Sequence, residues 1–132
     1  SDITRTIFIK KVPDDVNTIY LIVKNAQQKA VDAVQAGLTT NKLDSIARDF
    51  IAAKGYGSFF GHSLGHGVGL DVHEMPAVKQ SGDVVLQKGM VITIEPGIYL
   101  PKRAGVRIED MVLVTSKGHE VLTKASKDLI IL

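Results

Sequence analysis

Histidine and glycine are concentrated in one stretch, residues 61–74, with the sequence GHSLGHGVGLDVHE. It holds His62, His66 and His73, three of the four histidines of the chain, and four of its twelve glycines. Histidine is the commonest metal ligand and the only side chain whose unperturbed pKa lies near neutrality. Glycine inside a strand-like segment marks a bulge or a close approach of the backbone. The stretch indicates a metal or acid–base site; the alternative is a glycine-rich loop with surface histidines.

Two carboxylates downstream favour a metal site. Glu95 ends one apolar run and Glu109 lies inside another, so both are expected on strands that are covered on both faces. A carboxylate is costly there unless it is ion-paired or bound to a metal. For Glu109 the alternative is an ordinary ion pair with Arg107, two residues away on the same face. Asp110 points to the opposite face, and we expect a structural role for it.

Four side chains could together hold a metal ion: Asp2, His66, Glu95 and Glu109. Three carboxylates and one imidazole form a hard, oxygen-rich set, which favours manganese, cobalt, iron or zinc over a thiophilic metal. A cation held in this way lowers the pKa of bound water and polarises a carbonyl group, which is the chemistry of a metallohydrolase. The two other histidines of the stretch would then be available as a proton donor and a substrate contact, or they are ordinary core or surface residues.

The composition fits one globular domain. A chain of 132 residues can bury a core, and its hydrophobic fraction of 45% and charged fraction of 23% are ordinary. A net charge of +2 without any block of like charge does not indicate a nucleic-acid or membrane-surface partner. The absence of cysteine excludes disulfides and thiolate metal sites. No apolar run reaches the roughly 18 residues of a membrane span and no signal peptide is recognisable, so a cytoplasmic location is the default expectation.

The framework that must position these residues begins with a strand and two helices. Residues 1–11 alternate between two faces, which predicts a strand with Asp2 at its start. Apolar residues then recur every three or four positions over residues 15–36, which predicts an amphipathic helix closed by Gly37. A second helix is predicted from Thr39 or Thr40 to Lys54.

Strands follow the helices. The pattern predicts one strand over residues 91–95, stopped by Pro96, and another over 106–115. Ser116, Lys117 and Gly118 predict a hairpin turn into residues 120–123. The order of one strand, two helices and several strands predicts an α+β fold with two long helices on one face of a largely antiparallel sheet.

Four segments together resemble the pita-bread metallopeptidases: SDITRT at 1–6, HSLGHGVGLDVHE at 62–74, TIEPGIY at 93–99 and GVRIED at 105–110. They occur in the family's order and are most similar to Xaa-Pro dipeptidases (prolidases) and Xaa-Pro aminopeptidases. The resemblance covers the whole chain. It implies that residues 1–132 are the C-terminal portion of a pita-bread (creatinase/aminopeptidase) catalytic domain with a curved sheet, and that the first half of the fold and the N-terminal domain are absent.

The resemblance implies a site with two divalent metal ions, manganese or cobalt first, with zinc or iron as alternatives. Asp2 and Glu109 match the carboxylates that bridge the metals in the family, and His66 and Glu95 match ligands of one metal. The family's first aspartate, which binds the other metal, precedes the position at which this chain begins. The second metal would therefore keep only Asp2 and Glu109.

The resemblance also implies which residues act beside the metals. His62 and His73 match histidines placed around the substrate and the tetrahedral intermediate. Arg107 matches an arginine beside the bridging glutamate, and Tyr99 occupies a tyrosine position close to the site. We therefore expect His62, His73 and Arg107 to be catalytic, and these three together with Tyr99 to contact the substrate.

The activity implied by the resemblance is that of an exopeptidase. A metal-activated hydroxide would hydrolyse the bond between an N-terminal residue and proline in a dipeptide or a longer peptide. Because half of the fold is missing from residues 1–132, we expect the segment alone to be inactive or to bind metal weakly. An unpaired sheet edge and an uncovered apolar face predict a homodimer or association with the missing half.

Other functions are compatible with the same fold. A methionine aminopeptidase is the nearest alternative, although the pairing of His62 with His66 and the segment at residues 71–74 favour the Xaa-Pro branch; creatinase-like chemistry is a weaker option. A metal-free pita-bread module that binds peptides or partner proteins belongs to another class, since fold alone does not fix function. Such relatives typically lack the ligands, whereas every ligand that this chain could contain is present.

Overall fold

The computed structural model describes all 132 residues, which form two α-helices and nine β-strands. The helices are α1 (Asp14–Ala33) and α2 (Thr40–Ala53), and one turn of 3-10 helix follows at Gly57–Phe59. The strands are β1 (Ile7–Phe8), β2 (Gly65–Gly67), β3 (Glu74–Val78), β4 (Val91–Ile94), β5 (Gly97–Leu100), β6 (Ala104–Arg107), β7 (Asp110–Thr115), β8 (Gly118–Val121) and β9 (Ile130–Ile131).

The first predicted helix is present but shorter than expected. Helix α1 begins with two acidic residues after Pro13, where negative charge stabilises the helix dipole. It ends three residues before the predicted end because Val34 adopts an extended conformation. Gly37, with φ of +92°, therefore turns the chain after the helix has ended rather than closing it. No helix combines the length and the apolar character that crossing a membrane requires.

The second helix agrees closely with the prediction. It starts at Thr40, with Thr39 as the preceding residue, and Gly55 at φ of +87° follows its end. The Thr39 hydroxyl does not cap the helix, because it donates to the side chain of Asn41 instead. Within α2 Asp44 is fully buried and pairs with Arg48 one turn later.

The main sheet has five antiparallel strands in the order β3-β2-β4-β7-β8. The centre of the sheet, β4 against β7, is in register from Val91 opposite Leu113 to Ile94 opposite Asp110. The hairpin between β7 and β8 turns at residues 116–117, as predicted. Strands β5 and β6 form a separate antiparallel pair, and β1 pairs with β9 in parallel.

Two predicted strands need correction. The strand over residues 1–11 is reduced to a bridge at Thr4 and the short β1, because Lys10 (φ of +69°) turns the chain after β1. The strand over residues 106–115 is divided into β6 and β7, which belong to different sheets. The break lies at Ile108 and Glu109, and the Glu109 amide donates to the Thr4 carbonyl. An apolar pattern cannot show where a strand changes partners, and this change places Glu109 at a sheet junction.

The core lies where the helices meet the strands. It contains 23 buried apolar residues, drawn from both helices and from β3, β4, β5, β6 and β7. Helices α1 and α2 contact each other, α1 also contacts β4, β5, β6 and β8, and α2 contacts β3. The predicted α+β class with two long helices against a largely antiparallel sheet is confirmed.

Gly65→Ala should unfold the centre of the sheet. A Cβ atom at Gly65 would overlap the carbonyl oxygen of Thr93 on the neighbouring strand, so β2 and β4 would have to separate. We expect a loss of unfolding free energy of about 3 kcal/mol or more in urea titrations, at the upper end for overpacking. Gly61→Ala is the matched control, because open space surrounds Gly61 and surface changes usually stay within about 0.5 kcal/mol. Equal stability of the two variants would contradict this account.

Candidate metal centre

The structure brings the four predicted metal ligands together. The ligand atoms of Asp2, His66 and Glu109 all lie within 4.8 Å of one another. His66 Nε2 is 3.1 Å from Glu95 Oε1 and 3.6 Å from Asp2 Oδ2. His66 lies in the middle of β2, Glu95 directly after β4, Glu109 directly before β7, and Asp2 on the N-terminal segment that crosses Glu109. Four separate parts of the chain therefore converge on one point.

The ring of His66 is oriented as a ligand. Its Nδ1 lies 2.9 Å from the carbonyl oxygen of Gly67, so Nδ1 carries the proton and donates it. In the neutral ring the lone pair is then on Nε2, the atom that faces Asp2 and Glu95. Metal-binding histidines typically donate their other ring N–H to a carbonyl or carboxylate in this way. The side chain is only 9% exposed, so few other orientations are open to it.

Glu109 carries the least satisfied polar atom of the site. The residue is 2% exposed, and its Oε1 is buried without a hydrogen-bond partner. Its Oε2 accepts a hydrogen bond from the Thr4 hydroxyl. Burial raises the pKa of the Glu109 carboxyl above its ordinary value of 4.5, and the hydrogen bond from Thr4 opposes this rise. The negative charges of Glu95 and Asp2 raise the pKa further, whereas the positive charge of Arg107 lowers it. Glu109 is thus a buried acid with one free oxygen and no counter-ion in contact.

Arg107 does not form the ion pair with Glu109 that the sequence left open. Its Nε donates instead to the Thr4 hydroxyl at 3.2 Å, and that hydroxyl in turn donates to Glu109. Thr4 therefore separates the guanidinium from the carboxylate and leaves Glu109 Oε1 without a competing cation. Sequence reasoning missed Thr4; the available signal was that it lies two residues after Asp2, on the same face of an extended segment.

Thr93 is a second hydroxyl that sequence reasoning missed. It is fully buried in β4, donates to Glu95 Oε1 at 2.9 Å and accepts the backbone N–H of His66 at 3.0 Å. One side chain therefore fixes the carboxylate of Glu95 and the backbone of His66. The position two residues before Glu95 on one strand face was the signal that could have identified it.

His62 and Tyr99 form a hydrogen-bonded pair beside the carboxylates. His62 Nδ1 is 2.8 Å from the carbonyl oxygen of Ser63, so in the neutral ring Nε2 is the acceptor and the Tyr99 hydroxyl, at 2.8 Å, is the donor. Burial raises the pKa of the Tyr99 phenol, the charge and hydrogen bond of Arg107 lower it, and the nearby acids raise it further. Tyr99 therefore stays protonated at neutral pH and can act as this donor.

His73 lies on the open side of the site. Its ring meets the ring of His66 edge-on, with 4.5 Å between centroids, and the residue is exposed. The loop that carries it is held by Glu74, whose Oε1 accepts the backbone N–H of Asp71 at 3.0 Å. A histidine in this place can contact a ligand that approaches from solvent, as the sequence predicts for a substrate contact.

The segment that carries His62 is fastened to helix α2. Arg48 donates to the carbonyl oxygens of Phe60 (2.9 Å) and His62 (2.8 Å) while it pairs with Asp44. Asp44 also accepts the backbone N–H of Leu64 at 3.2 Å. A cavity of about 450 Å³ opens beside this segment, lined by eight mainly polar residues. The helix thus positions His62 between the cavity and Tyr99.

The donor set suits a divalent cation. The carboxylates of Asp2, Glu95 and Glu109 surround the imidazole of His66, and the guanidinium of Arg107 is bonded to Thr4 rather than to a carboxylate of the group. A cation would provide the partner that the buried Glu109 Oε1 lacks and would offset the mutual repulsion of the acids. Oxygen-rich sets with one histidine fit manganese, cobalt, iron or zinc. The residues present therefore fit a metal site, and their individual roles stay predictions.

Comparison with known proteins identifies the family of the chain. The model of the Metallopeptidase family M24 matches residues 1–116. The Xaa-Pro dipeptidase of Pyrococcus horikoshii is 57% identical over 130 residues, which are 98% of this chain and 37% of that protein. The Xaa-Pro dipeptidase of Pyrococcus furiosus is 55% identical over the same share of both chains. The chain thus spans little more than a third of the length of these relatives.

Solved structures agree with the fold. The Xaa-Pro dipeptidase from Bacillus anthracis superposes with a TM-score of 0.98 at 53% identity, over 100% of this chain and 37% of that one. The X-Pro aminopeptidase from Thermotoga maritima gives a TM-score of 0.97 at 46% identity, over 100% and 38%. The predicted pita-bread fold is confirmed, and membership of a metallopeptidase family implies divalent metal ions. The chain belongs to the M24 family of metallopeptidases.

Proposed function

We propose that the chain supplies the metal-binding part of an exopeptidase that hydrolyses the bond between an N-terminal residue and proline. The observation that carries the proposal is the buried Oε1 of Glu109, which has no hydrogen-bond partner, in a carboxylate that forms with His66 and Asp2 a group whose ligand atoms lie within 4.8 Å of one another. The identity of 57% to a protein described as an Xaa-Pro dipeptidase supports the substrate class. The proposal concerns the whole protein, because the relatives that carry this description are longer than this chain.

In this proposal Asp2, His66, Glu95 and Glu109 hold one divalent metal, and Asp2 and Glu109 also reach a second. Manganese or cobalt is the proposed metal, with zinc or iron as alternatives. A bound metal of this kind lowers the pKa of water and polarises the substrate carbonyl. The protein contributes by holding the four ligand residues in place. The hydroxyl of Thr4 donates to Glu109, and the hydroxyl of Thr93 donates to Glu95.

The remaining residues are proposed to act on the substrate. His73 is exposed beside His66 and can contact a peptide that enters from solvent. His62 accepts from Tyr99 in its neutral form and, once protonated at Nε2, can donate that N–H to charge that develops on the substrate in place of its bond with Tyr99. Arg107 holds a positive charge close to the acids without pairing with Glu109.

Hydrolysis assays on the protein that contains this chain test the proposal. After loading with Mn²⁺ or Co²⁺, we expect release of proline from Ala-Pro and little reaction with Met-Ala, and no reaction after chelation. A preference for Met-Ala would favour the methionine aminopeptidase alternative. Protein that binds no divalent ion would favour a metal-free binding module. Bound metal without hydrolysis of Ala-Pro would contradict the proposed substrate.

Exposed apolar side chains next to the site lead us to propose that the chain forms a homodimer or packs against the other half of the pita-bread fold. Leu70, Val72 and Met75 lie in or beside the loop of His73 and are 103%, 72% and 74% exposed. Apolar residues grouped in this way typically mark an interaction surface. A homodimer would sediment as such at high concentration, and a monodisperse monomer would count against it.

A cytoplasmic location stays a prediction, which cell fractionation checks.

A further inference from the structure

Arg5 is one of the most extensively bonded side chains of the protein, and the proposed chemistry does not use it. A guanidinium has five N–H donors, and all five are engaged. Nη1 donates to the carbonyl oxygens of Thr4 (2.9 Å) and Glu109 (2.6 Å), and Nε donates to that of Ser126 (2.9 Å). Nη2 donates to Asp110 Oδ1 (2.7 Å) and to the carbonyl oxygen of Ala125 (2.8 Å).

The partner of Arg5 is equally well satisfied. Asp110 is 1% exposed and accepts from Arg5, Thr123, Gln27 and Lys127. Burial opposes its ionisation, but these four donors outweigh burial and lower the pKa of the Asp110 carboxyl. The ion pair is therefore charged at neutral pH and fixed to helix α1 and to the C-terminal segment.

The two residues lie directly behind the metal site. Thr4 and Glu109 are opposite each other in an antiparallel bridge, and their side chains meet on the metal face. Because successive side chains of an extended segment alternate, Arg5 and Asp110 meet on the other face. Arg5 also binds both backbone carbonyls of the bridge. Asp2 is three residues before Arg5, on a segment that has no regular strand pairing there.

We propose that Arg5, anchored by Asp110, is a positioning residue that sets Asp2 and Glu109 at the spacing required for metal. Without it, the N-terminal segment would keep the Thr4–Glu109 contacts, the bonds between Thr6 and Arg107 and the contact of the Asp2 amide with Met111. It would lose the bonds that tie both carbonyls of the bridge to Asp110 and to the C-terminal segment, and a misplaced carboxylate binds metal less tightly. The inference rests on the metal site of the proposed function, but not on its substrate. The alternative is that the pair only stabilises the fold.

Arg5→Lys is the test, carried out on the protein that contains this chain by calorimetric titration with Mn²⁺ well below its unfolding temperature. Lysine keeps the charge beside Asp110, but its single ammonium cannot reach the carbonyls of Thr4, Glu109, Ala125 and Ser126 together. We expect metal affinity to fall by about tenfold or more, the range typical for residues that orient ligands.

Lys127→Met is the matched control. It removes the other cation on Asp110, at 3.0 Å, but touches no backbone of the Thr4–Glu109 bridge. We expect it to lower stability while metal affinity changes by less than about twofold, well below the tenfold typical of orienting residues. A double variant, Arg5→Gln with Asp110→Asn, replaces the ion pair by neutral amides and is expected to lose affinity as Arg5→Lys does; it serves if Arg5→Lys does not fold.

The outcomes separate the two proposals. Unchanged metal affinity in the Arg5 variants, or an equal loss in Lys127→Met, would overturn the positioning role and leave a purely structural pair. Absence of Mn²⁺ binding by the wild-type protein that contains this chain would overturn the metal site and the positioning role together. Metal binding with the expected variant effects, but no hydrolysis of Ala-Pro by the whole protein, would leave the positioning role standing and overturn the substrate class alone.

Discussion

His66→Ala should remove metal binding from the chain. The imidazole presents its Nε2 to Asp2 and Glu95, and no other nitrogen ligand lies within the group formed with Glu109. Loss of a residue that merely orients a ligand costs 10- to 100-fold in affinity, so loss of the ligand itself should cost at least about 100-fold. Isothermal titration with Mn²⁺ and Co²⁺ measures the change.

His119→Ala separates this effect from a general loss of histidine. His119 is half-buried in β8, where its Nδ1 lies 3.2 Å from the carbonyl oxygen of Val34. We expect that variant to bind metal as the wild type does. His62→Ala should also keep the metal, because His62 contacts Tyr99 rather than the carboxylates. Wild-type affinity in His66→Ala would show that the ligand assignment is wrong.

The four residues that converge at the candidate metal site could be selected from the sequence because the selection depends on residue type. A buried carboxylate and a histidine among glycines are costly unless they serve a purpose, and neither fact requires knowledge of the fold. The glycines also behave as expected at one position, since Gly65 lies against the Thr93 backbone too closely for any side chain. The lengths of the helices were predicted to within a few residues from periodicity alone.

The junction at Glu109 could not be predicted from periodicity. Residues 106–115 are rich in apolar residues and contain no glycine or proline, so the pattern predicts one strand, whereas β6 pairs with β5 and β7 with β4 and β8. The change of partner depends on Thr4, which is more than a hundred positions away in sequence and bridges Glu109. Long-range pairing of this kind leaves no local trace in the pattern.

The hydroxyl and guanidinium groups behind the ligands were missed for a related reason. Thr4, Thr93 and Arg5 are ordinary strand or surface residues by type, and only their neighbours across the sheet give them a role. The ion pair of Arg107 with Glu109, which was the alternative to a metal site, does not form because the Thr4 hydroxyl lies between them. The proposed ligands could be selected one by one from the sequence, whereas the residues that hold them in place depend on the tertiary structure.

Glu109→Gln should weaken metal binding and yet stabilise the metal-free protein. The glutamine oxygen can still accept from Thr4, and its amide would donate towards Asp2 and Glu95, where Oε1 of the acid has no partner. A buried unsatisfied polar group costs about 1–3 kcal/mol, so we expect the unfolding free energy without metal to rise by about 1 kcal/mol or more. Metal affinity should fall by at least about tenfold, since a neutral amide replaces an anionic ligand.

The pH dependence of this gain has a defined sign. The folded protein holds the Glu109 carboxyl proton more tightly than the unfolded chain, because burial raises the pKa above 4.5. Wild-type stability therefore falls as pH rises above this value, until the folded-state pKa is passed. Glu109→Gln has no carboxyl group at this position and does not lose stability in this way. The difference in unfolding free energy between the variant and the wild type should therefore be small in acid and grow towards neutral pH, as urea titrations with chelator can measure. Contributions of other acids, such as Asp110, are common to both proteins and cancel.

Saturating Mn²⁺ should reverse the order of stability. A ligand at 100 times its dissociation constant stabilises the protein that binds it by about 2.7 kcal/mol, and Glu109→Gln would gain much less at that concentration. The reversal distinguishes a metal ligand from a structural acid. Asp110→Asn should destabilise the protein with or without metal, because Arg5 and Lys127 would lose their anionic partner. Exposed Glu120→Gln should change neither quantity. If Glu109→Gln destabilised the metal-free protein, the Glu109 carboxylate would have a structural role. An acid that is kept for metal binding lowers the stability of the protein when the metal is absent, so its removal should raise that stability.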